Sequence, residues 1–346
     1  MTTEHPARYI IFGAGAVGST VGGLLIRAGQ RVVLVARPAY AEALRNGIRI
    51  SQAGEDIDFR AEAVSSASEL EPEHGDIVLI TTKSQATEGV VEDLHRVYSS
   101  DVPVVCLQNG IRNEAIAAER FKRVYAGLVF LSAVQLRPDL ITLPAGRVLA
   151  FGCYPSGVDR TAEQIASDMS AAGLEATASA YVMAMKWGKL ITNLNNATHA
   201  ITDYWLERGM ADVEMRKLML AVREEGLRVL DAAGIAVEPP EGEPSPIRVL
   251  KMTEALRRNP SKDGGDSGHR TYASMWQDLT LGRQSNEADF LNGEIIDLGK
   301  RLGIATPYNS GLVEIVNKMM ADGVKPGLYS PAQLHAILES RAAANE

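Results

Sequence analysis

The sequence predicts an α/β fold: an N-terminal Rossmann-like doubly wound sheet followed by an all-α C-terminal domain. Three observations carry this. Glycines spaced G-x-G-x-x-G stand at Gly13, Gly15 and Gly18, between an apolar run and a helical pattern. Apolar runs then alternate with helical periodicity as far as Ser179, the order that builds a parallel sheet. Beyond Ala180 strand signals nearly vanish, and helical spacing continues. A chain of 346 residues has room for two domains, which we place at 1–179 and 180–346.

The first element sets the rest. Tyr9, Ile10, Ile11 and Phe12 read as a buried strand, and Val17, Val21, Leu24, Leu25 and Ala28 recur at helical spacing until Gly29 stops the helix. Between them, Gly13 permits a tight turn, Gly15 lets backbone approach a pyrophosphate, and Gly18 lets the helix sit close to the strand. Ala16 and Val17 complete the helix N-terminus, whose N–H groups and dipole suit phosphate. The next strand, Arg31–Ala36, runs into Arg37, twenty-four residues after Gly13. A carboxylate at that strand end suits the ribose hydroxyls of NAD, whereas an arginine suits the 2′-phosphate of NADP. Arg37 therefore points to NADP(H).

Composition narrows the classes. Charged residues make up 23% and hydrophobic ones 46%, ordinary for a protein with a sizeable core. A net charge of −8 without a long basic run argues against nucleic acid and acidic membrane surfaces as partners. Cys106 and Cys153, the two cysteines, lack metal-ligand spacing, and the six histidines are scattered, so no zinc site is expected. The N-terminus enters a strand at once and no apolar stretch is long enough to span a bilayer. The expectation is a soluble, cytoplasmic protein.

Further along, a helix is expected over Ala39–Asn46, strands near Ile48–Ser51 and Phe59–Val64, and a buried strand over Asp76–Lys83. Helical spacing through Val90, Val91 and Leu94 precedes another strand, Val102–Leu107, and then Gln108-Asn109-Gly110. Ligands sit beyond the carboxyl ends of parallel strands, so Lys83 and Asn109 fall on the rim of the crevice. From Tyr125 to Gly152, β-rich segments read as antiparallel strands that extend the sheet, followed by a helix at Thr161–Ala172 and a strand at Leu174–Ser179. Helices are then expected at Tyr181–Glu207, Ala211–Ala233, Ile247–Arg258, across the 270s and 280s, at Glu287–Leu302 and at Thr306–Asp322. The proline-rich stretch 236–268 reads as loops around one short helix, either a lid or a tolerated insertion.

Hydride transfer to a carbonyl leaves charge on oxygen, so a proton donor and substrate-holding groups are needed. In Met185-Lys-Trp-Gly-Lys-Leu-Ile-Thr-Asn-Leu-Asn-Asn196, continuous helix places Lys189, Asn193 and Asn196 within roughly 60° of one another. That stripe can bind substrate or can simply meet water. A second group runs from Ser274-Met-Trp-Gln-Asp to Glu287, where a carboxylate can orient a lysine or only charge a helix N-terminus.

Together these motifs give the resemblance. The glycine turn, Thr-Lys83, Gln-Asn-Gly110, Trp187-Gly-Lys189-Leu with Asn193, Ser274-Met-x-Gln-Asp-Leu and Glu287-x-Asp-x-x-Asn-Gly293 resemble the ketopantoate reductase family (2-dehydropantoate 2-reductases) in order along most of the chain. The resemblance implies NADPH-dependent reduction of a small 2-oxo acid to a 2-hydroxy acid, with ketopantoate as the leading substrate. It implies Lys189 as proton donor and Glu287 as the group that organises Lys189 and a substrate hydroxyl while also facing the cofactor. Asn193, Asn196, Ser274 and Asn109 would bind substrate. Lys83 and Asn109 would lie between cofactor and substrate, Arg37 would hold the 2′-phosphate, and a homodimer through the helical domain is implied.

Three features depart from the family pattern. Ala197 stands where a second asparagine is usual, with Asn196 preceding it; one extra residue separates Gln-Asp278 from Glu287; and the stretch 236–268 is longer. All lie on the substrate side, so a larger keto substrate stays open, as does a catalytically silent dinucleotide-sensing protein.

Overall fold

The computed structural model describes residues 7–52, 55–131, 133–137, 139–143, 147–239, 270–282 and 287–344. The chain divides after Met183 into two compact units.

The first unit is built on an eight-stranded sheet. Its strands are β1 (Arg8–Phe12), β2 (Arg31–Val35), β5 (Glu62–Val64), β6 (Asp76–Ile80), β7 (Val104–Cys106), β8 (Val124–Phe130), β11 (Val148–Cys153) and β12 (Glu175–Ala178). The spatial order is β12-β11-β8-β7-β6-β1-β2-β5, parallel throughout except for the β8–β11 pair. Residues such as Ile10, Ile11, Leu34, Val78, Leu79 and Val105 are buried on both faces, which is why these strands read as continuous apolar runs. One face is covered by α1 (Ala16–Arg27), α2 (Pro38–Asn46) and α5 (Arg160–Ala171), the other by α3 (Thr87–His95) and α4 (Asn113–Ala118). Because β1 lies between β2 and β6, the chain reverses its winding at β1, and the carboxyl ends of β1 and β6 flank the crevice where such sheets take ligands.

The middle strands correct one expectation. A second sheet of order β4-β3-β10-β9 holds β3 (Ile48–Gln52), β4 (Glu55–Phe59), β9 (Val134–Arg137) and β10 (Leu140–Thr142). Of the segments between Tyr125 and Gly152, only β8 and β11 extend the main sheet. The others leave it because Ile141 and Leu143, fully buried, join Ile50, Ile57 and Phe59 in a core over α1. Gly23 of α1 has no room for a Cβ, which would come 2.5 Å from the Phe59 ring. The expected strand at Phe59–Val64 is thus the end of β4 and, after a break, β5.

The described residues of the second unit are helical. They form α6 (Val182–Asn193, whose first two residues belong to the first unit), α7 (Asn196–Thr202), α8 (Leu206–Ala211) and α9 (Val213–Ala232). After residues 240–269 come α10 (Ser274–Thr280), α11 (Ala288–Leu302), α12 (Pro307–Ala321) and α13 (Pro331–Ala343). The single helix expected over Tyr181–Glu207 is therefore three helices. The chain leaves helical geometry at Leu194–Asn195, and Asp203, at φ +57°, ends α7. The expected helix at Ile247–Arg258 and nearly all of the 236–268 stretch lie outside the described residues. α13 was not expected, although Ser330 and Gln333 form a capping box around Pro331.

α9 forms the spine of this unit. Its Gly226 lets Leu194 and Ile191 close in, since a Cβ would come 2.7 Å from the Leu194 side chain. Its Glu225 carboxylate accepts hydrogen bonds from the backbone N–H groups of Tyr308 and Asn309 and from Asn309 Nδ2, and so caps α12. Asn292 of α11 donates to Leu194 O at 3.0 Å and to Asn309 Oδ1 at 2.9 Å. This buried amide ties the end of the Lys189 helix to two others.

Candidate active site

In the first unit the glycine turn is held on both sides. The N–H groups of Gly13 and Ala14 donate to Val35 O at 3.0 and 3.3 Å. Thr81 N donates to Phe12 O at 2.9 Å and Thr81 Oγ1 to Gly13 O at 2.7 Å. Gly13 has φ +106° and faces Thr82 too closely for any side chain. A Cβ on Gly18 would strike Gly13 O and Thr81 Oγ1, so only glycine lets α1 start this near β1. Gly15 is exposed, and a Cβ there would meet nothing within 4 Å. The first turn of α1, with Ala16 and Val17, has neither a side-chain cap nor an acidic residue. Uncapped N–H groups, a dipole end and open space in front of Gly15 are what a pyrophosphate requires, so these residues fit a dinucleotide.

Arg37 follows β2, is exposed, and has no ion pair among the described residues; its carbonyl accepts from Tyr40 N and Ala41 N at the start of α2. β6 ends at Ile80 rather than Lys83, so Thr81, Thr82 and Lys83 form a loop beyond it. A polar network missed in the sequence joins that loop to the one after β7. Gln108 Nε2 donates to Thr82 O at 2.8 Å and to Thr87 Oγ1 at 3.0 Å, and Thr87 Oγ1 donates to Asn113 Oδ1 at 2.8 Å. Ser84 Oγ and Asn113 Nδ2 both donate to Asn109 O, at 3.0 and 2.8 Å. Half-buried Lys83 and Asn109 are thereby carried on two loops fixed to each other.

In the second unit, Lys189 and Asn193 share a face of α6, one turn apart. Asn196 belongs to the next helix rather than to a continuous one: it opens α7, after the turn at Leu194–Asn195. The periodicity ran on because Leu194 and Ala197 are buried on either side of the break. Ser274 opens α10, which is tied to the end of α7 by the Trp276 Nε1 hydrogen bond to Asp203 Oδ1 at 2.6 Å. Glu287, buried, precedes α11.

Lys189 is half-buried as a residue, but its ammonium end is surrounded by protein. Desolvation, with repulsion from Lys186, pulls its pKa down to about 7, against the upward pull of Glu287. His199, by contrast, is buried and falls to about 4, mainly by desolvation, and its Nδ1 lies 2.9 Å from Tyr204 O. It is neutral at neutral pH and bound to the backbone. Lys186 is buried, which its place beside Trp187 in the sequence does not reveal. Among the described residues no group of acidic, histidine or cysteine side chains could hold a metal ion, and no helix is long and apolar enough to cross a membrane.

Comparison with known proteins decides the family. Residues 9–156 match the family model Ketopantoate reductase PanE/ApbA, and residues 181–320 match its C-terminal counterpart. The chain belongs to the ketopantoate reductase family. Its members are oxidoreductases acting on CH–OH groups. This ketopantoate reductase homologue is 30% identical over 303 residues to the 2-dehydropantoate 2-reductase of Pyrococcus horikoshii, covering 86% of this chain and 93% of that one. It is 31% identical over 324 residues to that of Archaeoglobus fulgidus, covering 93% and 99%. Among solved structures, the ketopantoate reductase of Ralstonia eutropha JMP134 superposes with TM-score 0.76 at 28% identity, covering 91% and 99%. A D-mandelate dehydrogenase solved with NADH and anilino(oxo)acetate shares the fold at TM-score 0.78 and 24% identity, covering 91% and 99%.

Proposed function

We propose that this ketopantoate reductase homologue reduces a small 2-oxo acid to the 2-hydroxy acid with NADPH, ketopantoate being the preferred substrate. The observation that carries the reading is Lys189, a lysine brought down to about 7 beside a buried carboxylate. A general acid works best when its pKa lies near the working pH, and an ordinary lysine holds its proton too tightly for that.

The uncapped glycine turn, with Gly13, Gly15, Ala16, Val17 and Gly18, would bind the pyrophosphate, and Arg37 the 2′-phosphate. When bound, the reduced nicotinamide supplies a hydride for the ketone carbon. Lys189 gives its proton to the ketone oxygen from Nζ and is left neutral. Glu287 orients Lys189 and accepts a hydrogen bond from the substrate hydroxyl while bordering the cofactor. Asn193, Asn196 and Ser274 hold the substrate, and Lys83 and Asn109 stand on fixed loops at the cofactor side. A homodimer in the cytoplasm, serving pantothenate biosynthesis, completes the reading, together with two functional domains of about 1–179 and 180–346.

Ala197 supports a second substrate reading. It is fully buried and offers no hydrogen bond where the family usually has asparagine, which would suit a bulkier keto acid. The test is a panel of 2-oxo acids of graded size, assayed with NADPH and with NADH by loss of the nicotinamide absorbance. Highest kcat/KM with ketopantoate and NADPH is expected. Selective turnover of a larger acid would move the substrate assignment, and no turnover with any of them would favour a sensing role.

A further inference from the structure

Lys186 and Lys189 are three residues apart on α6, a spacing that puts two side chains on one helix face. Lys186 is only 4% exposed. Lysine is almost never buried so far unless something holds or uses it. The pairing is costly for a second reason. Two ammonium groups on one buried face repel, and low-dielectric surroundings strengthen that repulsion. Charged groups acting on Lys189 include Lys186 on its own helix and Glu287 at the start of α11. They act in opposite senses. Glu225 of α9 is committed to capping α12.

We propose that Lys186 is a positioning residue of this site, a second functional lysine whose charge makes Lys189 a readier proton donor. The inference rests on the reading of Lys189 as the donor. In the proposed step the ketone oxygen takes a proton from Lys189 Nζ as the ketone carbon receives the hydride that a bound reduced nicotinamide would supply, and the Lys189 N–H electron pair stays on nitrogen. As that proton leaves, repulsion from Lys186 disappears. The interaction is therefore worse in the ground state than in the transition state, which is the condition for raising kcat. Solvent later returns a proton to Lys189.

The test compares wild type with Lys186→Met, Lys186→Gln and Lys186→Arg. Two measurements are made: the pH profile of ketone reduction and the NMR titration of the Lys189 Nζ and Cε signals, assigned by their loss in Lys189→Met. In Lys186→Met and Lys186→Gln, both the Lys189 midpoint and the alkaline limb of the rate profile should move up by about one pH unit. The plateau kcat should fall several-fold, and Lys186→Arg should leave both midpoints in place. A merely structural lysine would change rate and thermal stability without moving either midpoint, and that result would overturn the proposal. If only one of the neutral variants folds, its two midpoints decide in the same way. A Lys189 midpoint that responds to Lys186 while Lys189→Met still turns over at the wild-type rate would support the coupling but remove Lys189 as donor.

Discussion

Lys189 and Glu287 bear opposite charges inside the helical unit, yet the lysine is pulled down to about 7, because desolvation and the neighbouring Lys186 outweigh the carboxylate. In an ordinary ion pair the ammonium would be held more firmly in its charged form. Both protonation states of Lys189 are then populated near neutral pH, which leaves the protein with a measurable pH signature.

That signature appears in stability. The folded-state value lies below the ordinary 10.5 of lysine. Below about pH 7 the ammonium is charged in both states and its burial opposes folding in full; between about 7 and 10.5 the unfolded chain binds more protons, so the contribution of Lys189 to stability rises with pH. Lys189→Met should therefore be more stable than wild type at about pH 6, by an advantage that shrinks toward about pH 10. Urea unfolding of both proteins across that range checks it, and a constant difference would argue against a desolvated ammonium.

Arg37 tests the cofactor reading. Arg37→Asp should raise KM for NADPH by roughly 10–100-fold, the worth of a charge-assisted phosphate contact of about 1.5–3 kcal/mol, while KM for NADH changes little or falls. Steady-state kinetics with the two cofactors measures this. Equal loss for both would show that Arg37 acts on the fold or on a feature common to the two.

The glycine turn separates folding from binding. Gly18→Ala would drive a Cβ into Gly13 O and Thr81 Oγ1 and should lower stability by about 1–3 kcal/mol. Gly15→Val projects into open space at a backbone of φ −74° and ψ −163°, where a side chain is accommodated. It should fold normally and bind the dinucleotide at least about tenfold more weakly, because the added side chain occupies the pyrophosphate approach. Thermal melts and fluorescence titration with NADPH distinguish the two effects.

At the other end of the same strands, Asp76 is buried and accepts from Arg8 Nε and Nη2, both at 2.8 Å, and from Tyr98 Oη at 2.9 Å. Asp76→Ala leaves the Arg8 guanidinium with only Glu73 and the Glu71 carbonyl, beside an unpaired tyrosine hydroxyl. Breaking a buried pair in this way costs about 3–5 kcal/mol, which denaturant unfolding should detect without a change in substrate preference.

The nucleotide-binding half was legible in the sequence for a physical reason. Strands buried on both faces are continuous apolar runs, and the turn after Phe12 requires glycine at positions that nothing else can fill. The second sheet was not legible, because the alternation through Val134–Thr142 specifies a strand but not its neighbours. The break between α6 and α7 was hidden because Leu194 and Ala197 keep helical spacing across it. α13 presents only Leu334 and Leu338 as deeply buried aliphatic side chains, a weak stripe without its cap. Lys186 was invisible for the opposite reason: its meaning lies in its burial, which is tertiary.

The most direct test of Lys189 as proton donor is single-turnover reduction of ketopantoate by enzyme saturated with NADPH, comparing wild type with Lys189→Met. Slowing by roughly 10²–10⁴-fold is expected, the usual worth of a positioned general acid, with NADPH affinity unchanged. Reduction at the wild-type rate by the variant would contradict it.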